Sequence, residues 1–273
     1  MSSISKYIHV GAGKAGSTSI QLALKRMSQG GKLKRTYFHK LFNILDGEGP
    51  ETDLKVARAS CLQDLKKHKS ALLSDERLAS YSPKYYSPNL EYPIEFSYAE
   101  YRVLSFGLLN EAFPDARWLY VTRNRHDQRV STYAQYLRGG GCLELNEYLT
   151  KYQQRLDQLT DHEAVISMIE SLVGKERLVV VSFDEIAAAR SELHRKLSEW
   201  WPDWMPEFWK NERANPSPPK DLWDAIADVN KLLGLLLRDD SDKLEELSRK
   251  LTDSSNDELT KCLNARCERF KNS

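Results

Sequence analysis

The chain of 273 residues is poor in cysteine, has almost no excess of either charge, and contains no long apolar run. Its four cysteines, Cys61, Cys142, Cys262 and Cys267, are scattered. Only the last two are close, and they lack Cys or His partners at the spacing of a zinc site. They read as reduced thiols, and no metal is expected. The 40 Lys and Arg against 39 Asp and Glu leave a formal charge of +1. That balance gives no reason to expect nucleic acid or an anionic membrane surface as a partner, so anion binding must come from local clusters. The longest aliphatic stretch, around Leu232 to Leu237, is far too short to span a bilayer. The start, MSSISKYIHV, lacks the basic-then-apolar pattern of a signal peptide. A cytoplasmic location is the expectation.

What is present is an alternation of short apolar runs with amphipathic stretches. Tyr7 to Val10 reads as a strand, Lys34 to Phe42 as a second, Ser70 to Glu76 as a short buried third, Ala116 to Thr122 as the clearest strand, and Glu176 to Ser182 as another. Between them lie helical patterns at Leu54 to His68, at 97–113 and from Arg123 to about Leu137, and two more helices are expected within 144–173. Ser182 and Glu185 form a potential capping box. Helices are also expected at 220–237, 240–252 and 255–270. Strands alternating with helices imply a mainly parallel sheet covered on both faces. The expected organisation is one α/β domain over 1–220, with a helical segment over 221–273 packed on it.

The feature that organises the chain is YIHVGAGKAGSTSIQLAL, residues 7–24. A strand, a loop with Gly11, Gly13, Gly16 and Lys14, then Ser17, Thr18 and Ser19 at a helix start make an anion cradle. Backbone N–H groups and the positive helix end converge there, and hydroxyls and an ammonium can join them. Three ligands compete. Gly11-x-Gly13-x-x-Gly16 formally satisfies the dinucleotide fingerprint. The second strand, however, offers Lys34 and Arg35 instead of an acid for the ribose, which leaves an NADP-dependent oxidoreductase as that alternative. A triphosphate loop needs its lysine directly after the last glycine, whereas Lys14 stands two residues before Gly16.

The third reading is a resemblance. Lys14 to Ser19 is similar to the 5′-phosphosulfate loop of the sulfotransferases, whose core is typically Lys-Thr-Gly-Thr-Thr-Ser, with Ala15 and Ser17 replacing the first two threonines. About a hundred residues on, VTRNRHDQRVSTYAQYLR resembles the 3′-phosphate segment of that family. Arg123 stands at a strand end, an Asn-Pro-like turn follows, and Ser131 comes eight residues after the arginine. Arg125 occupies the place where proline is usual, which leaves the turn less rigid. Arg129 is shifted by one from the common position. Positive charge at a helix start is unfavourable unless an anion offsets it.

The resemblance implies a P-loop-like three-layer α/β/α fold and a donor, 3′-phosphoadenosine 5′-phosphosulfate (PAPS), with adenosine 3′,5′-bisphosphate (PAP) as product. It implies in-line sulfuryl transfer to a hydroxyl or amine of a small molecule, secondary metabolite or glycan. Gly13, Lys14, Ala15, Gly16, Ser17, Thr18 and Ser19 would hold the 5′ side, and Arg123 and Ser131 the 3′-phosphate. Lys14 would also stabilise the leaving group. Glu76 is the first choice of base, because Ser74-Asp75-Glu76 follows an apolar strand as a similar Ser-x-Glu does in bacterial members. His39 and then Asp75 are the next choices. Arg213 and Asn215, with Ser217, lie in a stretch similar to a late loop that closes over the nucleotide. The tyrosines of 81–93 and the tryptophans from Trp200 to Trp209 are expected either to line the acceptor site or to form satellite core.

Overall fold

The computed structural model describes residues 6–11, 30–32, 51–68, 72–74, 77–80, 98–138, 140–184, 190–200, 220 and 223–236. In chain order these form β1 (Tyr7–Gly11), β2 (Gly30–Lys32), α1 (Glu51–Lys66), β3 (Leu72–Ser74), α2 (Arg77–Ser80) and α3 (Tyr98–Ala112). Next come β4 (Arg117–Thr122), α4 (Arg125–Arg138), α5 (Leu145–Lys151), α6 (Gln153–Thr160) and α7 (His162–Val173). A 3₁₀ turn (Lys175–Arg177), β5 (Leu178–Ser182), α8 (Arg190–Trp200) and α9 (Trp223–Leu236) complete them.

The strands form a single parallel sheet in the order β2-β3-β1-β4-β5. β4 occupies an interior position because its apolar run suits burial on both faces, and Trp118 to Val121 are fully buried. Side chains alternate between the faces. Ile8, Val10, Trp118 and Tyr120 point to one side, where Phe106 of α3 meets Trp118 edge-on at 5.7 Å. Tyr7, His9, Leu119 and Val121 point to the other, where Trp200 of α8 meets Tyr7 edge-on at 5.8 Å. Trp200 is fully buried and its indole N–H donates to the Arg117 carbonyl at 3.1 Å, so this tryptophan belongs to the core. The other tryptophans of that cluster lie outside the described residues.

Gly30–Lys32 forms a strand that the hydrophobic pattern does not announce, whereas the strand expected at 34–42 lies outside the described residues. Glycine and lysine carry no strand signature, and what makes this segment a strand is its parallel pairing with β3. Within 144–173 there are three helices, not two. α5 ends at Lys151 with Tyr152 as its C-cap, and Asp161 starts α7 by accepting a hydrogen bond from the Ala164 amide at 3.1 Å.

The chain divides into two compact units. The first comprises Met1–Tyr85, Pro93–Gln128 and Asp157–Asn215, and holds the sheet. Within it, the buried Arg102 of α3 donates to the Ala79 carbonyl of α2 at 2.7 Å and to the Gln158 carbonyl of α6 at 3.0 Å. Its guanidinium also lies 5.4 Å from the Tyr98 ring centre. The second unit comprises Tyr86–Tyr92, Arg129–Leu156 and Pro216–Ser273. Its centre is aromatic: Tyr133 contacts Tyr148 and Trp223, each at 5.3 Å between ring centres, and Tyr136 lies 4.8 Å from Tyr148. Asn230 of α9 donates to the carbonyls of Leu137 at 3.0 Å and Gly141 at 2.8 Å, closing the C-terminus of α4.

Candidate active site at the carboxyl edge of the sheet

The five described strands run parallel, so their carboxyl ends share one edge. From β1 the chain proceeds to β2 on one side of the sheet, and from β4 it proceeds to β5 on the other. β1 and β4 are neighbours, with Gly11 paired to Val121. The point beyond their ends is therefore the topological switch point, the position at which open α/β sheets bind ligands because the two connections diverge there. Gly11 ends β1 on one side of that point, and Thr122 ends β4 on the other, with Arg123 directly after it. β3, next to β1, ends at Ser74, from which Asp75 and Glu76 continue.

Of the residues singled out from the sequence, Arg123 and Ser131 are described. Gly13, Lys14, Ala15, Gly16, Ser17, Thr18, Ser19, His39, Asp75, Glu76, Arg213, Asn215 and Ser217 lie outside the described residues. Arg123 directly follows β4, in the first unit, with its guanidinium 5.2 Å from the centre of the Phe183 ring. Ser131 is half-buried on the second turn of α4, in the part assigned to the second unit.

The turn after β4 is held by several independent contacts. The Arg123 carbonyl accepts a hydrogen bond from Nε2 of His162 at 3.0 Å. The next amide, that of Asn124, donates to Oδ2 of Asp184 at 2.6 Å. The side chain of Asn124 caps α4, its Oδ1 accepting from the amides of His126 at 2.9 Å and Asp127 at 3.3 Å. These two amides of the first turn are thereby satisfied by the protein. An anion at this place does not draw on those two amides, which puts weight on side chains, Arg123 first among them.

Arg125 occupies the first helical position, the one proline favours, and sits 3.8 Å from the Asp161 carboxylate. The basic helix start is thus offset in part by carboxylates of the chain itself, Asp161 and Asp184. The expectation that the positive charge must call for an external anion is weakened to that extent. The loss of rigidity expected from Arg125 in place of proline is countered by the hydrogen bonds to His162 and Asp184.

Two histidines that the sequence reading did not select stand at this edge. His162, at the start of α7, is buried and links two groups of the β4 end. Nε2 lies 3.0 Å from the Arg123 carbonyl and 3.5 Å from the Arg123 amide. The shorter contact, to an oxygen that can only accept, puts the proton on Nε2, and Nδ1 then accepts from the Tyr120 hydroxyl at 2.9 Å. Burial holds the His162 pKa below its ordinary value; the Arg125 and Arg102 charges act in the same direction, and the bond to the Arg123 carbonyl and the Asp161 charge oppose it. His162 lies 39 residues from Arg123 and has no local signature in the sequence.

His9 is fully buried in β1, with Nδ1 2.8 Å from the Ser74 hydroxyl and Nε2 without a hydrogen-bond partner. Burial lowers its pKa to about 3, so it is neutral. It ties the ends of β1 and β3 together, one residue before Asp75. A polar residue inside an apolar run beside the glycine loop was the signal that could have marked it.

Against known proteins, the family model described as "Sulfotransferase family" matches residues 8–201, more than half of the chain. The fold is similar to the crystal structure of a sulfotransferase from Alicyclobacillus acidocaldarius, with a TM-score of 0.51 and 17% identity over 87% of this chain and 97% of that one. No curated protein matches the chain. Among the described residues, no helix is long and apolar enough to cross a membrane. The parallel α/β sheet with helices on both faces agrees with the P-loop-like architecture of the matched family, and the match covers β1 through α8. The chain belongs to the sulfotransferase family.

Proposed function

We propose that the protein transfers a sulfuryl group from PAPS to a hydroxyl or amine of a small-molecule, secondary-metabolite or glycan acceptor. The observation that carries this reading is the switch point between β1 and β4, with the Gly13–Ser19 loop continuing from one strand and Arg123 from the other. A donor with separate anionic groups at its 5′ and 3′ positions needs two binders, and the two strand ends supply one each. The chemistry of the donor set fits: one side brings an ammonium, hydroxyls and amides, the other a guanidinium suited to phosphate.

When bound, PAPS supplies a sulfuryl group whose departure leaves negative charge on the 5′-phosphate. The Lys14 ammonium is assigned to meet that charge, and Ser17, Thr18, Ser19 and the amides of Gly13, Ala15 and Gly16 to hold the phosphate. Arg123 and Ser131 are assigned to the 3′-phosphate. Glu76, which continues from β3, is the proposed base for the acceptor proton, with His39 and then Asp75 as the next choices. Arg213 and Asn215 are assigned to the nucleotide from the late loop. Positioning and charge stabilisation carry most of such a transfer, which places the emphasis on fixed cations. A cytoplasmic enzyme is the setting proposed, consistent with free thiols at Cys61 and Cys142.

Calorimetric titration with PAP tests the reading. Wild-type protein is expected to bind it, and Lys14→Ala and Arg123→Ala each to weaken binding by about tenfold or more. Absence of binding by wild type, or binding by both variants as tight as that of wild type, overturns it. Transfer of radiolabelled sulfate to a panel of acceptors, repeated with Glu76→Gln, then identifies the acceptor class and tests the base.

A further inference from the structure

We infer that His162 and Asp184 are positioning residues that clamp one peptide plane, the one joining Arg123 to Asn124, and so aim the arginine at the 3′-phosphate of the donor; the inference rests on the PAPS reading above. The β ladder ends at Thr122, whose partner is Ser182. Beyond that pair no described strand neighbours the main chain, and the next peptide depends on other contacts to fix it. Both polar ends of that peptide are instead engaged. Its carbonyl accepts from His162 Nε2 at 3.0 Å, and its N–H donates to Asp184 Oδ2 at 2.6 Å.

The two clamping side chains come from different elements. His162 stands at the start of α7, and Asp184 lies two residues past the end of β5. Each is fixed in turn. His162 is oriented by the Tyr120 hydroxyl at Nδ1, so a single tautomer presents its N–H to the carbonyl. The Asp184 amide donates to the Ser182 hydroxyl at 3.3 Å, which turns the chain back over the end of β5. Arg123 therefore leaves a peptide whose rotation is blocked on both sides, with its guanidinium over Phe183, the residue between Ser182 and Asp184. Proline would restrict such a turn through its ring. Here Arg125 leaves that dihedral free, and the clamp restricts the turn by hydrogen bonds instead.

A positioning role predicts a loss that depends on the ligand. Calorimetry with adenosine 3′,5′-bisphosphate and with adenosine 5′-phosphate measures the preference conferred by the 3′-phosphate. His162→Leu and Asp184→Ala are each expected to cut that preference about tenfold and to leave adenosine 5′-phosphate affinity within about twofold of wild type. Asp184 is exposed, so its variant does not depend on refilling a core site. His162→Gln, which can still donate to the carbonyl, and Asp184→Asn, which can still accept from the amide, are expected to recover the preference to within about threefold. If wild type prefers the bisphosphate and the leucine and alanine variants keep that preference, or lose both ligands in parallel, the clamp is refuted and the donor reading stands. If wild type itself does not distinguish the two nucleotides, the donor reading fails and the clamp fails with it.

Discussion

Acid is expected to destabilise this protein through His9, and the size of the effect follows from its burial. In the unfolded chain a histidine titrates near its ordinary value of 6.5, whereas in β1 burial lowers the value to about 3. Between those values the unfolded state binds a proton that the native state refuses, so stability falls as pH falls. From about pH 7 to about pH 5 the loss amounts to roughly 2 kcal/mol, most of it below the unfolded pKa. His162, whose pKa burial also lowers, adds to the trend in the same direction. The contribution of His9 is therefore read as a difference between proteins. His9→Asn removes the titration and keeps a polar group able to meet the Ser74 hydroxyl. Its loss of side-chain volume lowers stability at every pH alike. Urea unfolding at a series of pH values, followed by circular dichroism, should give a variant whose stability falls less steeply than wild type between about pH 6.5 and pH 5, by close to one proton's worth of slope. Equal slopes would refute the assignment of a neutral, unprotonated His9 in the native strand.

Other perturbations report on the remaining structural ties. Arg102→Leu removes the donors for the Ala79 and Gln158 carbonyls and is expected to cost about 3 kcal/mol in urea unfolding, with Arg102→Lys recovering less than half, because one ammonium cannot reproduce the two-armed contact. Asn230→Ala strips the carbonyls of Leu137 and Gly141 of one shared donor group and should lower stability by about 2 kcal/mol in the same assay. Cys61 is 3% exposed and its thiol is pushed up to about 12 by burial, with Asp64 adding to the shift, so iodoacetamide should label the exposed Cys142 in the native protein and spare Cys61 until denaturant is added. Mass spectrometry of tryptic peptides distinguishes the two sites, and early labelling of Cys61 would contradict its burial.

Much of the element order could be read from hydrophobic pattern alone. Ala116 to Thr122 announced β4 because a strand covered on both faces must be apolar throughout, and 97–113 announced α3 through the spacing of Tyr98, Tyr101, Leu108 and Leu109. The pattern failed where structure is imposed from outside the segment. Gly30 to Lys32 became a strand through backbone pairing with β3 alone. Asp161 separates α6 from α7 by a side-chain cap that periodicity does not register. At the candidate site, Arg123 was legible because it directly follows an obvious strand. His162 was not, because what marks it is contact with a backbone carbonyl far away in sequence. His9 was visible as a polar residue in an apolar run and still was not selected.

By itself the sequence determined that this is a parallel α/β protein, which stretches hold β1, β3, β4 and β5, and which two motifs resemble the binders of a doubly phosphorylated donor. Those properties reside in local patterns: apolar alternation, glycine spacing, and a basic residue just past a strand. The tertiary structure decided the strand order β2-β3-β1-β4-β5, which makes neighbours of β1 and β4 and puts the switch point at their ends. It also decided that the turn carrying Arg123 is held by His162 and Asp184. Strand order depends on which side each crossover takes, and a hydrogen bond between distant residues leaves no trace in the spacing of either segment. Both therefore emerge only when the packed faces bring those segments together.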